Sequence, residues 1–80
     1  MKYTKTGYEI QIGDSVSVED GAEGTVVCDF DRKLCISGYE DWITNDDSTV
    51  DGIPSRGILV KTKKYGLIHY ETEDETIVRR

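Results

Sequence analysis

Short apolar runs separated by glycine- and aspartate-containing turns are the feature that most restricts the fold of this chain. No window of about twelve residues repeats apolar side chains with the 3.6-residue period of a helix. The runs are rich in β-branched and aromatic residues, or alternate with a period of two, which is typical of strands. They predict about six short strands, at residues 15–18, 25–30, 34–36, 57–62, 67–70 and 76–78.

The chain length limits how these strands can assemble. Eighty residues suffice for one domain, residues 1–80, because domains usually contain about 100–150 residues. Short, closely spaced strands cover their edges by curling into a barrel or a sandwich. We therefore predict an all-β fold of about five to six mostly antiparallel strands with at most one helical turn. Its predicted core comprises Val16, Val18, Val26, Ile36, Ile58, Val60, Ile68 and Val78.

Charge is concentrated in the middle of the chain. Sixteen acidic residues against ten basic ones give a net charge of −6. Residues 14–52 hold eleven acidic residues against Arg32 and Lys33, which leaves −9 in this block. Such a protein is repelled by nucleic acid and by anionic membranes, so we expect neither as a partner. Because the sequence has neither a membrane-spanning apolar run nor a signal-peptide pattern, we expect a cytoplasmic protein.

The sequence offers little evidence for catalysis or metal binding. The single histidine, His69, lies on a predicted strand without a nucleophile motif nearby, which favours a core, rim or interface position over a catalytic one. Adjacent carboxylates such as Asp46 and Asp47 are typical of solvated loops, and residues 46–51 lack the glycine and terminal glutamate of a calcium loop. No phosphate-binding glycine motif occurs. We predict a protein that is not an enzyme and has no cofactor or metal.

The two cysteines are predicted to face each other. A tight turn at Asp31 and Arg32 within a hairpin over residues 26–37 pairs Cys28 directly with Cys35. Their spacing with one distant histidine does not fit a zinc site. A disulfide is geometrically open to this pair, but a reducing cytosol favours free thiols that pack as small hydrophobic side chains. We expect reduced cysteines.

The single tryptophan, Trp42, lies among acidic residues. It is interpreted either as a lid on one end of a small barrel or as an interface anchor, since tryptophan beside a polar rim is a typical binding hot spot. The acidic block around Trp42 predicts a protein-binding surface. We expect the free chain to be a monomer. The predicted contact residues are Tyr39, Glu40, Asp41, Trp42, Asp46, Asp47 and Asp51.

Residues 12–27, with the sequence IGDSVSVEDGAEGTVV, resemble the opening of SH3-like barrels, including KOW-type modules. The resemblance implies an SH3-like barrel. KOW modules usually bind RNA or polymerase partners through basic loops, whereas the corresponding turns here hold Glu19, Asp20 and Glu23. An SH3/KOW-like adaptor that binds a protein or a nucleic-acid-associated complex is therefore the alternative function.

A wider resemblance covers roughly residues 12–80. The segments GYEDW at 38–42, RGILVKT at 56–62, GLIHY at 66–70 and the residues around Asp74, Glu75 and Ile77 resemble a group of small acidic bacterial proteins associated with immunity to secreted or contact-delivered toxins. This implies a protein that binds a cognate toxin and neutralises it by occlusion. A toxin that attacks nucleic acid carries a basic cleft, which fits an acidic partner. Within the long polar loop at residues 43–56, residues 44–52 look longer than the corresponding loop of this group, and they are interpreted either as the site of partner specificity or as a neutral insertion.

Overall fold

The computed structural model describes residues 1–40 and 56–80, and it confirms the predicted all-β fold. These residues form six strands in mostly antiparallel pairing, and no α-helix occurs among them. The strands are β1 (Ser15–Val18), β2 (Ala22–Asp29), β3 (Leu34–Cys35), β4 (Ile58–Thr62), β5 (Gly66–Tyr70) and β6 (Val78–Arg79).

All six strands belong to one sheet with the order β5-β4-β2-β1-β6, and β3 pairs with β2 beside this path. Within the described residues no pairing joins β5 to β6, so the sheet does not close into the predicted barrel. Hairpins connect β1 to β2 and β4 to β5, because each pair is separated by only a short polar turn. The β1–β6 pairing joins the first strand to the last, with Val16 opposite Arg79 and Ser17 opposite Val78.

The period-two pattern of β1 places its side chains as expected. Val16 and Val18 are fully buried, whereas Ser15 and Ser17 lie on the other face of the strand. Val16 and Val18 pack into the larger of two hydrophobic clusters. Val26, Ile58 and Val60 from the neighbouring strands belong to the same cluster, as the sequence predicts. Of the other predicted core residues, Ile36 and Ile68 are half-buried at the margins of the two hydrophobic clusters.

A β-bulge in β2 divides the apolar side chains between both faces of the sheet. The pairing with β4 shifts by one residue between Val26 and Cys28. Because of the extra residue, Val27 and Cys28 both join a second cluster, with Phe30 and Leu59, on the face opposite Val26. Simple alternation does not anticipate this second cluster.

The last strand is displaced from its predicted position. We predicted a strand at 76–78 with Val78 in the core, but Val78 is 36% exposed and Ile77 is 1% exposed. The strand begins at Val78, and a hydrogen bond from Ile77 N to Asp74 O precedes it. A shift of one residue exchanges the buried and exposed sides of a strand, so the core assignment of Val78 was wrong.

The N-terminal residues contribute core side chains that the strand pattern missed. Tyr3 and Ile10 are almost fully buried in the larger cluster, although they lie outside the six strands. A backbone hydrogen bond from Tyr3 N to Tyr8 O and another from Ile10 N to Met1 O fold this segment back on itself. Two apolar residues seven positions apart show neither strand nor helix periodicity, so their burial could not be predicted from a local pattern.

Candidate functional site

The predicted partner-binding residues fall at the boundary of the described chain. Tyr39 and Glu40 are described, whereas the other five predicted contacts lie outside the described residues. Those five are Asp41, Trp42, Asp46, Asp47 and Asp51. Tyr39 and Glu40 are thus the described residues from which the candidate site continues.

Tyr39 is held against the second hydrophobic cluster. Its side chain is half-buried beside that cluster, and its backbone N donates to Ile36 O at 3.1 Å. The Tyr39 carbonyl oxygen lies 3.7 Å from Cys28 Sγ. Glu40 is exposed, and its Oε1 accepts a hydrogen bond of 2.9 Å from Gly38 N. The segment that leads into residue 41 is thus fixed to the sheet by packing and by local hydrogen bonds.

Cys28 and Cys35 form a disulfide, so the expectation of free thiols was wrong. The predicted hairpin register is confirmed, because Cys28 lies directly opposite Cys35 with the two Cα atoms 4.1 Å apart. The error came from the compartment argument, which outweighed the cross-strand geometry. The bond closes the hairpin beneath Tyr39 and ties the two-residue strand β3 to the long strand β2.

The acidic residues of the described body are largely engaged within the chain. Of the eleven acidic residues in 14–52, the seven described ones each accept a hydrogen bond or form an ion pair. They are Asp14, Glu19, Asp20, Glu23, Asp29, Asp31 and Glu40. Their partners include Lys64, Arg80 and the N-terminal ammonium group. These carboxylates therefore stabilise the fold through hydrogen bonds and ion pairs in addition to contributing negative charge to the surface.

Most of the net negative charge lies in residues 41–55. Residues 1–40 and 56–80 contain twelve acidic and ten basic residues, which leaves −2. Residues 41–55 contain four acidic residues and no basic one, which gives −4. Two thirds of the net charge of −6 is thus carried by fifteen residues that include Trp42.

A second acidic and aromatic cluster, absent from the sequence predictions, lies at the β1–β2 turn. Tyr65 Oη donates to Asp20 Oδ2 at 2.9 Å, and Lys64 Nζ lies 3.1 Å from the same oxygen. The hydrogen bond from Lys64, followed by that from Tyr65, lowers the pKa of Asp20. Tyr70 Oη donates to Glu19 Oε1 at 2.6 Å. The residues are more than forty positions apart, so no local sequence signal joins them.

His69 lies at the rim of the second hydrophobic cluster. Its Nε2 is 2.9 Å from the Arg56 carbonyl oxygen, and its ring meets Phe30 edge-on with 5.5 Å between centroids. The side chain is exposed on the same face of β5 as Leu67, as strand parity predicts. The hydrogen bond to Arg56 joins His69 to the segment just before β4. The contacts of His69 with described residues include no nucleophile.

Neither a metal centre nor a membrane span is found in the described parts of the chain. Residues 1–40 and 56–80 contain no group of three or more His, Cys, Asp or Glu side chains arranged to hold a metal ion. The same residues contain no helix of the length and apolarity needed to cross a membrane.

Comparison with protein-family models, with curated proteins and with solved structures finds no match to this chain.

Proposed function

We propose that this protein is an immunity protein that binds a cognate bacterial toxin and neutralises it by occlusion. The observation that carries the proposal is the charge distribution. The described residues carry a net charge of only −2 because twelve acidic residues nearly balance ten basic ones, while residues 41–55 carry four acidic residues and no basic one around the only tryptophan. An unbalanced acidic segment beside an aromatic anchor suits a basic protein surface.

The proposed contact surface comprises the seven residues predicted from the sequence. Tyr39 and Glu40 support it structurally, because packing and hydrogen bonds fix the segment from which residues 41–55 continue. A fixed starting point reduces the conformational entropy that binding must overcome. Carboxylates on this segment attract a basic cleft over long distances, and the aromatic side chains then supply apolar contact. The bound protein would exclude the toxin's substrate sterically and electrostatically.

Affinity capture from the native host tests this function. The folded protein, tagged at its C-terminus, should recover one basic protein stoichiometrically, and the recovered protein should lose toxicity when the complex forms. A variant with Asp46→Lys and Asp47→Lys should recover much less of it. The matched control carries Glu71→Lys and Glu75→Lys, which change the net charge equally at residues outside the proposed surface. Equal recovery by both variants would overturn the site.

The same capture experiment separates the alternative function. The six-stranded antiparallel sheet is compatible with the SH3-like resemblance of residues 12–27, which implies an adaptor module. Such a module would recover RNA or a nucleic-acid-associated complex in place of a single basic toxin. Nuclease-sensitive recovery would favour the adaptor and contradict the immunity function.

A cytoplasmic location and a monomeric free state belong to the same proposal. Fractionation of host cells tests the location independently of the Cys28–Cys35 bond. The protein should be recovered with cytoplasmic markers, and its recovery in an exported fraction would contradict this part of the proposal. Sedimentation of the purified chain would report its oligomeric state.

A further inference from the structure

A positively charged groove lies on the outward face of this acidic protein. Strand pairing places Ser15 opposite Thr25 and Thr25 opposite Lys61, while Arg80 N donates to Ser15 O. Four residues thereby form one row across the sheet, from Arg80, which follows β6, through Ser15 in β1 and Thr25 in β2 to Lys61 in β4. The row lines an open groove of about 490 Å³.

Ion pairs hold the cationic side chains at the Arg80 end of the groove, whereas Lys61 leaves positive charge at the other end. Arg80 Nη1 lies 2.6 Å from Glu23 Oε1, and Lys63 Nζ lies 3.8 Å from Glu23 Oε2. Both cationic side chains are therefore drawn toward the same carboxylate. For Lys61, no ion pair is found with any residue that the structure describes. The lining thus contains three cationic side chains and one carboxylate side chain, which is an excess of positive charge.

We propose that this groove binds an oligophosphate group. Guanidinium and ammonium groups form charge-assisted hydrogen bonds with phosphate oxygens, and the Ser15 and Thr25 hydroxyls are additional donors between them. Neighbouring strands lie about 4.8 Å apart, so the row from Arg80 to Lys61 spans about 14 Å. A chain of linked phosphates matches this elongated arrangement better than a single phosphate.

The proposed ligand is small, and the function is separate from toxin binding. The net charge of −6 disfavours long nucleic acids, whose many phosphates would meet the acidic remainder of the surface. The described residues that line the groove include no aromatic side chain. The lining therefore lacks the aromatic platform on which proteins stack bases. The groove thus favours recognition of phosphate oxygens over recognition of a base.

Titration with tripolyphosphate tests the proposal on the full chain at low ionic strength. Backbone amide shifts in an NMR titration should cluster at residues 15, 25, 61 and 80. Lys61→Gln should weaken binding about tenfold, the effect expected from loss of one charge-assisted hydrogen bond. Lys33→Gln, which makes the same charge change on the β2–β3 turn, should leave binding within about twofold of the original protein. Orthophosphate should bind more weakly than tripolyphosphate.

Two further probes define the ligand class. A nucleoside triphosphate should bind about as tightly as tripolyphosphate, because the groove recognises the phosphates alone; much tighter binding of the nucleoside triphosphate would overturn the assignment to an oligophosphate. Tighter binding of an aspartate-rich peptide than of tripolyphosphate would overturn the assignment to phosphate. Binding that Lys61→Gln and Lys33→Gln weaken equally would overturn the site itself. None of these readouts depends on the toxin, so the result is independent of the proposed immunity function.

Discussion

The Tyr70 hydroxyl donates a hydrogen bond to the Glu19 carboxylate, with 2.6 Å between Oη and Oε1, and so joins the end of β5 to the β1–β2 turn. A similar bond of 2.7 Å runs from Tyr3 Oη to Asp14 Oδ2 before β1. Burial raises the pKa of both phenols, and hydrogen bonding to a carboxylate raises it further. The protonated phenols are thus structural elements of the fold.

These two bonds predict a loss of stability at alkaline pH. The folded protein holds both phenol protons more tightly than the unfolded chain does, so this contribution is complete below the ordinary phenol pKa of about 10. As pH rises above that value, the unfolded chain loses its protons first and the free energy of unfolding falls. Urea unfolding at about pH 8 and about pH 10.5 should show this decline.

Substitution of the two tyrosines should remove much of that alkaline decline. Tyr70→Phe should cost about 1 kcal/mol at neutral pH through the lost hydrogen bond. The double variant Tyr3→Phe with Tyr70→Phe should be less stable than the original protein at pH 8. Its free energy of unfolding should fall less as the pH is raised further. Tyr8→Phe is the control, because Tyr8 is 67% exposed. An unchanged alkaline decline in the double variant would contradict the role of these phenols.

The disulfide should stabilise the protein and the packing of Tyr39. The bond joins residues seven positions apart in sequence, and closing so short a loop corresponds to about 2–3 kcal/mol in the chain-entropy description. A thiol reductant should lower the unfolding midpoint of the original protein and speed amide hydrogen exchange at Gly38 and Tyr39. The variant Cys28→Ala with Cys35→Ala should not respond to reductant. If a reductant leaves the unfolding midpoint of the original protein unchanged, the disulfide contributes nothing to stability.

The end of the chain provides a test of which side chain belongs to the core. Ile77→Ala should lower the free energy of unfolding by about 2–4 kcal/mol, because Ile77 is almost fully buried in the larger cluster. Val78→Ala should cost less than about 1 kcal/mol, because this side chain is exposed. Chemical denaturation of both variants measures the difference. Equal costs would restore the core assignment of Val78.

Partner binding should depend on charge and on aromatic contact in different ways. Acidic residues act mainly on the association rate, so Asp46→Lys with Asp47→Lys should slow association and weaken its dependence on salt. Trp42→Ala should increase dissociation by the equivalent of about 2 kcal/mol or more if the ring is an anchor. Surface plasmon resonance across a salt series measures both rates.

The same variants separate an anchor from a lid. If Trp42 only covers one end of the sheet, Trp42→Ala should lower thermal stability and weaken binding in proportion to unfolding. Measuring stability and binding on the same preparation decides between these roles. An association rate that charge reversal leaves unchanged at every salt concentration would show that the acidic segment lies outside the interface.

Local patterns in the sequence determined the strands and the first hairpin contacts. Alternation at Val16 and Val18 fixed the buried side of β1, and a tight turn after Phe30 placed Cys28 opposite Cys35. Both features depend on residues close together in the chain, where strand periodicity and turn length leave few alternatives. The acidic excess of residues 41–55 is likewise a property of composition.

Tertiary structure alone decided which distant residues meet. The bulge at Val27 sends two successive side chains to the second cluster, and the strand order brings Glu19 to Tyr70 and Lys61 into line with Arg80. Period-two alternation specifies the face of a strand on which a side chain lies, but it does not specify the neighbouring strand. That choice depends on how the whole sheet buries its apolar faces, because long-range pairing is stable only once those faces pack together.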